Sequence, residues 1–597
     1  MKNNSILNLF KYTWKYSKGR RNRVIIFVLL SFIGNSIWLL EPLVIGRIFN
    51  SIQFAANDPK LLVHIIKNLS FLIFIVIGFW TFHGISRIIE QTNGFFVRKN
   101  YRESMIEKVM ALPAQWHIAH HSGDTIDKID KASENLFNFS SEIFVIISNT
   151  VSLIGSVIIL LYFDWRSCLI AAGISSIILF IISRFDKYLK RGYDTLFKLE
   201  NNLAAGIHDY ISNIITVITL KLGKRAMREI DYRETKAFPV FKKNKIVDES
   251  KWFLTGLTIS VMTFSALSLN AYSSYKASGV IMIGTIFTLY KYLQSIGLTF
   301  YNFAWQYGII LRQDTAVKAA EIISEDYNKL VVAKEKSYYK VRLPKDWRAL
   351  KITDLSFTYK NYEEEGVKDI KHIDNISLTI NKTQRIAFIG ESGSGKSTIL
   401  ALLRGLFEAE KVKLYCDGKI LKHGLKHIKG YVTLIPQEPE IFNTTIKDNI
   451  TMGIHGNRQK LETIIKIAQF KTVVERLPRG INTNVMEKGV SLSGGEKQRL
   501  ALARGLFAAE DSEFILLDEP TSSVDSVNER KIYENIFSKY KDKTIIGSIH
   551  RLHLLEMFDY IYYFDRGKII TEGTFRELLE DESFEKLWRA YIKETKK

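Results

Sequence analysis

The chain has two cysteines in 597 residues, Cys168 and Cys416, which is too few for a disulfide framework or a cysteine-built zinc site. Cys168 lies in a long apolar run and Cys416 in a mixed, charged region, so the two are not expected to pair. Proline is scarce too, nine in all. The strongly charged stretches of about 90–140 and 185–251 are short of both proline and glycine, which argues for helix rather than free loop. No internal repeat is present, so the chain does not carry two copies of one functional half. Acidic residues are missing from the N-terminal segment, where Lys2, Lys11, Lys15, Lys18, Arg20, Arg21 and Arg23 stand unopposed. A formal net charge of +21 accompanies no nucleic-acid motif, and affinity for anionic lipid headgroups accounts for it without a nucleic-acid partner.

Long apolar runs crowd residues 1–325 and are lacking afterwards, so a near-zero mean hydropathy conceals two unlike parts. Runs of 18 or more apolar residues exceed what a soluble core helix needs and match a membrane crossing. Six spans are expected, at about 24–45, 69–89, 141–163, 166–184, 252–273 and 279–303. The last two are diluted by Thr, Ser, Tyr, Gln and Lys, as expected if one face lines a water-filled cavity. The basic N-terminus places that end in the cytoplasm, and an even number of spans returns the C-terminal part there. Within SILNLFKYTWKY, residues Ile6, Phe10 and Trp14 share a helical face with lysines elsewhere, the pattern of a short helix lying in the membrane interface. It is too polar for a signal peptide.

The C-terminal part carries its chemistry in three ordered segments. Gly390, Glu391, Ser392, Gly393, Ser394, Gly395, Lys396, Ser397 and Thr398 read GESGSGKST, which fits GxxxxGK[ST]. Such a loop turns its backbone N–H groups around phosphates while the lysine reaches the outer ones and the serine holds Mg2+. A strand-like QRIAFIG precedes it, and a helical TILALLRGLF follows with its N-terminus toward the anion. Further on, the apolar run Phe514 to Leu517 delivers Asp518 and Glu519 to a strand end. There one carboxylate is expected to orient the magnesium shell, Asp518, and the other to face the attacking water, Glu519. An adjacent acidic pair would otherwise read as a solvated turn; the apolar strand leading into it reverses that reading.

Between these segments Leu492 to Arg499 reads LSGGEKQR, and here the chain resembles the ATP-binding cassette (ABC) proteins. The resemblance covers roughly Leu350 to the C-terminus. It implies that Ser493, Gly494 and Gly495 contact the γ-phosphate held by the partner's Lys396, across a head-to-tail cassette dimer. It also implies that Tyr359 stacks on adenine and that Gln437 senses magnesium. Asp525 would communicate between the two ATP sites, His550 would contact the γ-phosphate, and Glu487 would meet the transmembrane coupling helices. Glu496 stands where exporters frequently have glutamine, and Ile549 where alanine is frequent; neither is expected to touch the chemistry.

The fold class that follows is multi-domain: an all-α, six-helix membrane domain of ABC-exporter type over 1–325, a linker over 326–349, and an α/β P-loop NTPase over 350–597. By resemblance, the long charged stretches are membrane helices continuing into the cytoplasm and turning through coupling helices near Trp116 to Ser122 and near Ser212 to Leu220. Too few residues precede the first span for a cysteine peptidase domain. The expected protein is an ATP-hydrolysing half-transporter in a bacterial inner membrane. It would use ATP and Mg2+, work with a second copy of itself or a related half-transporter, and export its substrate. An importer or an ATP-gated channel on the same architecture is the alternative. In span six, Lys291, Gln294, Tyr301 and Asn302 recur near helical spacing. Lys291 is expected about 18 Å from the external end, near mid-membrane on the cavity wall, where it would favour a polar or anionic cargo.

Overall fold

The computed structural model describes residues 4–54, 61–120, 122–332, 341–359, 370–454, 458–485 and 492–595. The chain divides into two compact units, one of Met1–Met110 and Gly123–Glu325, the other of Ala111–Ser122 and Asp326–Lys597.

The first unit is helical. Its elements are α1 (Ser5–Tyr16), α2 (Arg21–Trp38), α3 (Glu41–Phe54), α4 (Leu61–Ala111), α5 (Ala114–Ala119), α6 (Ser122–Ser141), α7 (Ile143–Phe163), α8 (Trp165–Ser212), α9 (Ile214–Thr219), α10 (Gly223–Ser278) and α11 (Ile283–Tyr327), with α5 falling to the second unit. At 1.5 Å per residue, α4, α8, α10 and α11 each run well beyond a hydrocarbon core of about 30 Å. The short helices α5 and α9 interrupt the charged stretches where coupling helices were expected.

Among the described residues, five helical stretches are long and apolar enough to cross a membrane: Arg21–Gln53, Leu61–Ala111, Ser122–Phe163, Trp165–Ser212 and Gly223–Ser278. The sixth expected span falls in α11, which is not among them because its Thr, Tyr, Gln and Lys lower its apolar content. The first stretch is broken at Leu39 and Leu40, just ahead of Pro42, whose ring clashes with the preceding turn. The Leu39 carbonyl accepts a hydrogen bond from the Tyr292 hydroxyl at 2.5 Å. Nearby, α3 and α11 touch backbone to backbone: a Cβ on Gly284 would lie 1.9 Å from the Gly46 carbonyl oxygen. Close contact through small residues is how helices gain packing in lipid, where apolar burial gives no advantage. Leu160, Met262, Ala266, Leu289 and Leu293 form a core among α7, α10 and α11. Only Asp164 separates α7 from α8, capping α8 by accepting from Arg166 N at 3.1 Å.

In the structure α11 begins at Ile283, so Lys291 lies eight residues inside the helix, about 12 Å from its start. It is exposed, with Nζ 5.8 Å from the Phe287 ring centre. The face of α1 that packs on the protein is Leu9, Tyr12, Thr13 and Tyr16, while Trp14 stays exposed and Ile6 and Phe10 are half-buried. The helix thus has two apolar faces, since tyrosine and threonine can be buried where they find packing.

The second unit holds two sheets. A four-stranded antiparallel sheet has the order β2-β1-β4-β5, from β1 (Ala349–Tyr359), β2 (Ile370–Asn381), β4 (Lys411–Cys416) and β5 (Lys419–Leu421). A six-stranded sheet has the order β10-β9-β3-β8-β7-β6, from β3 (Arg385–Gly390), β6 (Val432–Ile435), β7 (Phe514–Asp518), β8 (Thr544–Ser548), β9 (Tyr560–Asp565) and β10 (Lys568–Gly573). All its strand pairs are parallel except β9 with β10. Strands buried on both faces read as continuous apolar runs, and β3 and β7 do so. Ile386, Phe388, Phe514 and Leu516 enter one core, whereas Ala387, Ile389, Ile515 and Leu517 enter the other.

Leu343 and Trp347, placed in the expected linker, belong to the cassette core. Trp347 is 1% exposed and stacks on Phe514 at 5.1 Å between ring centres. Isolated apolar residues in a polar stretch have no periodicity to reveal such anchoring.

Candidate active site

Parallel strands of an open α/β sheet present ligands at their carboxyl ends, and Lys396, Ser397, Gln437, Asp518, Glu519 and His550 stand there. β3 ends at Gly390, and the loop to the Lys396–Arg404 helix passes through Gly393 and Gly395 at φ +83 and +104. A Cβ on Gly390 would stand 2.1 Å from the Phe564 carbonyl oxygen, so glycine is required sterically as well as conformationally. Lys396 is buried, its Nζ donating to the carbonyls of Gly390 at 2.7 Å and Glu391 at 2.9 Å and reaching the Ser394 hydroxyl at 3.4 Å. Burial holds its ammonium below the usual lysine range, against the pull of the Glu519 and Asp518 carboxylates.

Two strands away, β7 delivers Asp518, whose Oδ1 accepts from the Ser397 hydroxyl at 2.9 Å. Burial pushes the Asp518 carboxyl up, an effect opposed by that hydrogen bond and by Lys396. Glu519 follows at φ 45, a left-handed backbone that a glutamate adopts only under constraint. Its Oε2 accepts from Gln437 Nε2 at 3.2 Å, and its Oε1 lies 4.0 Å from His550 Nε2. The chain thereby brings Gln437 after β6, Glu519 after β7 and His550 after β8 around one carboxylate. Behind Glu519 and His550 lies a cavity of about 320 Å³ walled by Thr521, Glu529, Tyr533 and Ser548, among others.

Tyr359 ends β1 with its hydroxyl 3.4 Å from that of Thr398, on the helix that follows the loop. Asp525 caps the Ser526–Lys539 helix, accepting from Asn528 N at 3.0 Å. Ser493 caps the Gly494–Ala508 helix in a reciprocal arrangement: its hydroxyl accepts from Glu496 N and the Glu496 carboxylate accepts from Ser493 N. Among the described residues no hydrogen bond or ion pair joins Ser493, Gly494 or Gly495 to Lys396 of the same chain. Glu487 lies outside the described residues.

The donor set fits a small, hard divalent ion. Ser397, Asp518 and Gln437 offer oxygen, and among the described residues no group of three or more His, Cys, Asp or Glu could hold a metal alone. Magnesium is characteristically bound through one or two carboxylates together with phosphate and water.

Three contributors escaped the sequence reading. Gln498, Arg551 and Glu529 are knitted into the loop after Glu519 by hydrogen bonds. Gln498 lies inside LSGGEKQR and Arg551 directly after His550, so their positions were a signal, although their partners were not visible.

Comparison with known proteins agrees with this architecture. Residues 24–297 match the model of the ABC transporter transmembrane region, and residues 373–522 match that of the ABC transporter cassette. The chain is 28% identical over 585 residues to a Rickettsia bellii protein provisionally named an export ATP-binding/permease protein, covering 96% of each. It is 25% identical to a multidrug resistance ABC transporter ATP-binding and permease protein of Lactococcus lactis subsp. lactis, over 94% of this chain and 92% of that one. An ATP-dependent lipid A-core flippase of Idiomarina loihiensis is 26% identical over 82% of each. In fold the chain is similar to a bacterial Atm1-family ABC exporter solved with ATP bound, with a TM-score of 0.77, 20% identity, and coverage of 96% of this chain and 99% of that one. Taken with the P-loop, the LSGGEKQR segment and a helical membrane region in the same polypeptide, these matches establish that the chain belongs to the ATP-binding cassette transporters, as an integral-membrane half-transporter of exporter type.

Proposed function

We propose that this transporter hydrolyses ATP at two composite sites and uses the cycle to move its cargo outward from the cytoplasm or inner leaflet. The observation that carries the reading is the Glu519 carboxylate held between Gln437 and His550, one residue from the Asp518–Ser397 pair.

In this reading the loop Gly390 to Gly395 and Lys396 bind the phosphates, Thr398 and Tyr359 bound the nucleotide end, and Ser397, Asp518 and Gln437 hold magnesium. The ion, when bound, offsets charge on the phosphate oxygens. Glu519 orients the attacking water and takes its proton, while His550 donates toward the γ-phosphate. Ser493, Gly494 and Gly495 turn their helix N-terminus toward the nucleotide of a second copy, and Asp525 lies at the contact between the two sites. ATP shifts the pair toward the closed form only by binding it more tightly than the open one.

The N-terminus and cassette face the cytoplasm of a bacterial cell whose inner membrane holds the six spans. The partner is a second copy or a related half-transporter. Lys291, exposed on α11, favours a polar or anionic group on the cargo. Relatives named for multidrug resistance and for lipid A-core flipping support a cargo that also has apolar surface.

Mixing differently tagged chains tests the reading. Lys396→Ala and Ser493→Ala homodimers should each be nearly inactive, while mixed dimers rebuild one intact site and regain a clear fraction of wild-type ATPase activity. Verified mixed dimers no more active than either parent would rule out the trans site.

A further inference from the structure

A cavity of about 280 Å³ lies within the helical unit, among α1, α7, α8 and α11. Its wall is largely apolar, with Ile146, Leu179, Ile182, Phe300 and Phe303 in it, and Gln306, Tyr307 and Asp186 break that lining. Gln306 is 8% exposed, and its Oε1 is buried and accepts no hydrogen bond among the described residues. One turn earlier on α11, Asn302 donates to Asn149 Oδ1 at 3.3 Å instead. A buried amide oxygen left without a donor is costly unless something outside the chain supplies one. Asp186 is the only charged residue in the wall among the described residues. Lys251, buried on α10, reaches Asp186 at 3.2 Å but is shared with Asp248 at 2.9 Å. Two carboxylates therefore face one ammonium, which leaves an excess of negative charge beside the cavity. Arg312 also acts on this cluster, at Tyr193, but it is exposed, where water and salt screen it.

The apolar and polar ends of the cavity are ordered along the helices. Seven residues separate Leu179 from Asp186 on α8, and seven separate Phe300 from Tyr307 on α11, about 10 Å of helix in each case. The expected spans end near 184 and 303. In the orientation proposed above, the apolar end therefore reaches into the inner leaflet, while Asp186 and Gln306 lie at its cytoplasmic boundary. A volume just below the usual range for ligand cavities suits a chain rather than a bulky ring system. Gln306 Oε1 calls for a hydrogen-bond donor, and Asp186 calls for positive charge. A primary ammonium supplies both, a quaternary ammonium only the charge, and a carboxylate neither. We propose that this cavity binds an amphiphile headed by a primary ammonium, whether an aminophospholipid of the inner leaflet or a free alkylamine. The site is separate from Lys291, nine residues before Phe300 on α11. The inference takes its sidedness from the six-span orientation and its chemistry from the cavity alone.

Photolabelling tests it, with the full-length protein in phosphatidylcholine nanodiscs and a dodecylamine that carries a diazirine in its tail. Crosslinks mapped by peptide mass spectrometry should fall on Leu179, Ile182, Phe300 or Phe303. Unmodified dodecylamine should compete at a concentration roughly tenfold lower than dodecyltrimethylammonium, the difference expected for one charge-assisted hydrogen bond, and dodecanoate should not compete. Gln306→Leu, which keeps the volume, should remove the preference for dodecylamine over the quaternary amine. Asp186→Asn should weaken competition by both cations roughly tenfold. Ala304→Phe fills the cavity while leaving both polar groups in place; it should abolish labelling, and it serves if a polar variant does not fold. Nanodiscs of phosphatidylethanolamine separate the two sources: suppressed labelling assigns the cavity to membrane lipid, and undiminished labelling assigns it to a free amine. Crosslinks scattered over the outer helix surfaces, a preference for dodecanoate, or labelling left unchanged by both Gln306→Leu and Ala304→Phe would each overturn the proposal. Because the readout is labelling rather than turnover, the result is independent of the trans ATP site.

Discussion

Asp518 and Lys396 sit at strand and helix ends where burial works against their charged forms. For Asp518 the folded state holds its proton to higher pH than the unfolded chain does, so folding loses stability as pH rises through the carboxylate range and the penalty is fully present at neutral pH. Lys396 has the opposite sign: its folded ammonium loses its proton at lower pH than the unfolded one, so stability rises as pH climbs toward the lysine range. Asp518→Asn should therefore raise the melting temperature of the nucleotide-free protein by a few degrees at pH 7, with the gain disappearing at pH 3 where the unfolded carboxyl is protonated. The same variant should lose the extra thermal protection that Mg-ATP confers on the wild type, as expected where a site trades stability for ligand charge. A melting temperature that falls at pH 7 would show that the Ser397 hydrogen bond and Lys396 outweigh burial.

At the scale of elements, helix ends and breaks are held by specific side chains. The Ser493–Glu496 reciprocal cap starts the Gly494–Ala508 helix, and Glu496 also pairs with Arg476 at 2.6 Å. Glutamine can fill the third position of such a cap, and Arg476 is largely exposed, so Glu496→Gln should cost less than about 1 kcal/mol. ATPase activity should stay within about twofold, an energy difference well under 1 kcal/mol, as measured alongside chemical denaturation. In the helical unit, α6 and α7 break at Glu142, and three residues of α4 hold the break. Arg87 and Gln91 donate to the Ser141 carbonyl at 2.7 and 3.2 Å, and Glu90 accepts from Phe144 N at 2.8 Å and from Arg87 Nη1 at 2.5 Å. Glu90 is fully buried. Glu90→Ala would leave the Phe144 N–H without its acceptor, while Arg87 keeps the Ser141 carbonyl, at a cost of about 1–3 kcal/mol. Thermal unfolding in detergent should show it as the larger loss, with Glu90→Gln in between.

At the scale of the whole molecule, orientation depends on where positive charge lies in the chain. Lys11, Lys18 and Arg23 form no ion pair among the described residues, whereas Lys15 lies 5.2 Å from the Tyr16 ring centre, Arg20 stacks 3.4 Å from the Phe96 ring centre and Arg21 packs on Trp14. Replacing the first three by glutamine should leave the packing of α1 intact yet invert a detectable fraction of molecules, because basic flanks bias insertion. Protease accessibility of the cassette in right-side-out vesicles reads this directly; uniform orientation in the variant would mean that later loops decide the topology.

The P-loop, the LSGGEKQR segment, the acidic pair after an apolar strand and the long apolar runs were legible because each is contiguous in sequence. Their physics is local: a backbone that must curl around phosphate, a strand buried on both faces, a helix as long as a bilayer is thick. Contacts between distant positions were not legible. Trp347 in the cassette core, Glu90 at the Glu142 break, the second apolar face of α1, and the grip of Gln498 and Arg551 on one loop each depend on a partner brought near only by folding. Hydrogen-bond complementarity between such residues leaves no period or spacing in the chain. The sequence by itself therefore determined the two unlike parts and the nucleotide chemistry, while the tertiary structure decided which side chains bind the Glu519 loop into one unit, since only packing specifies which groups meet.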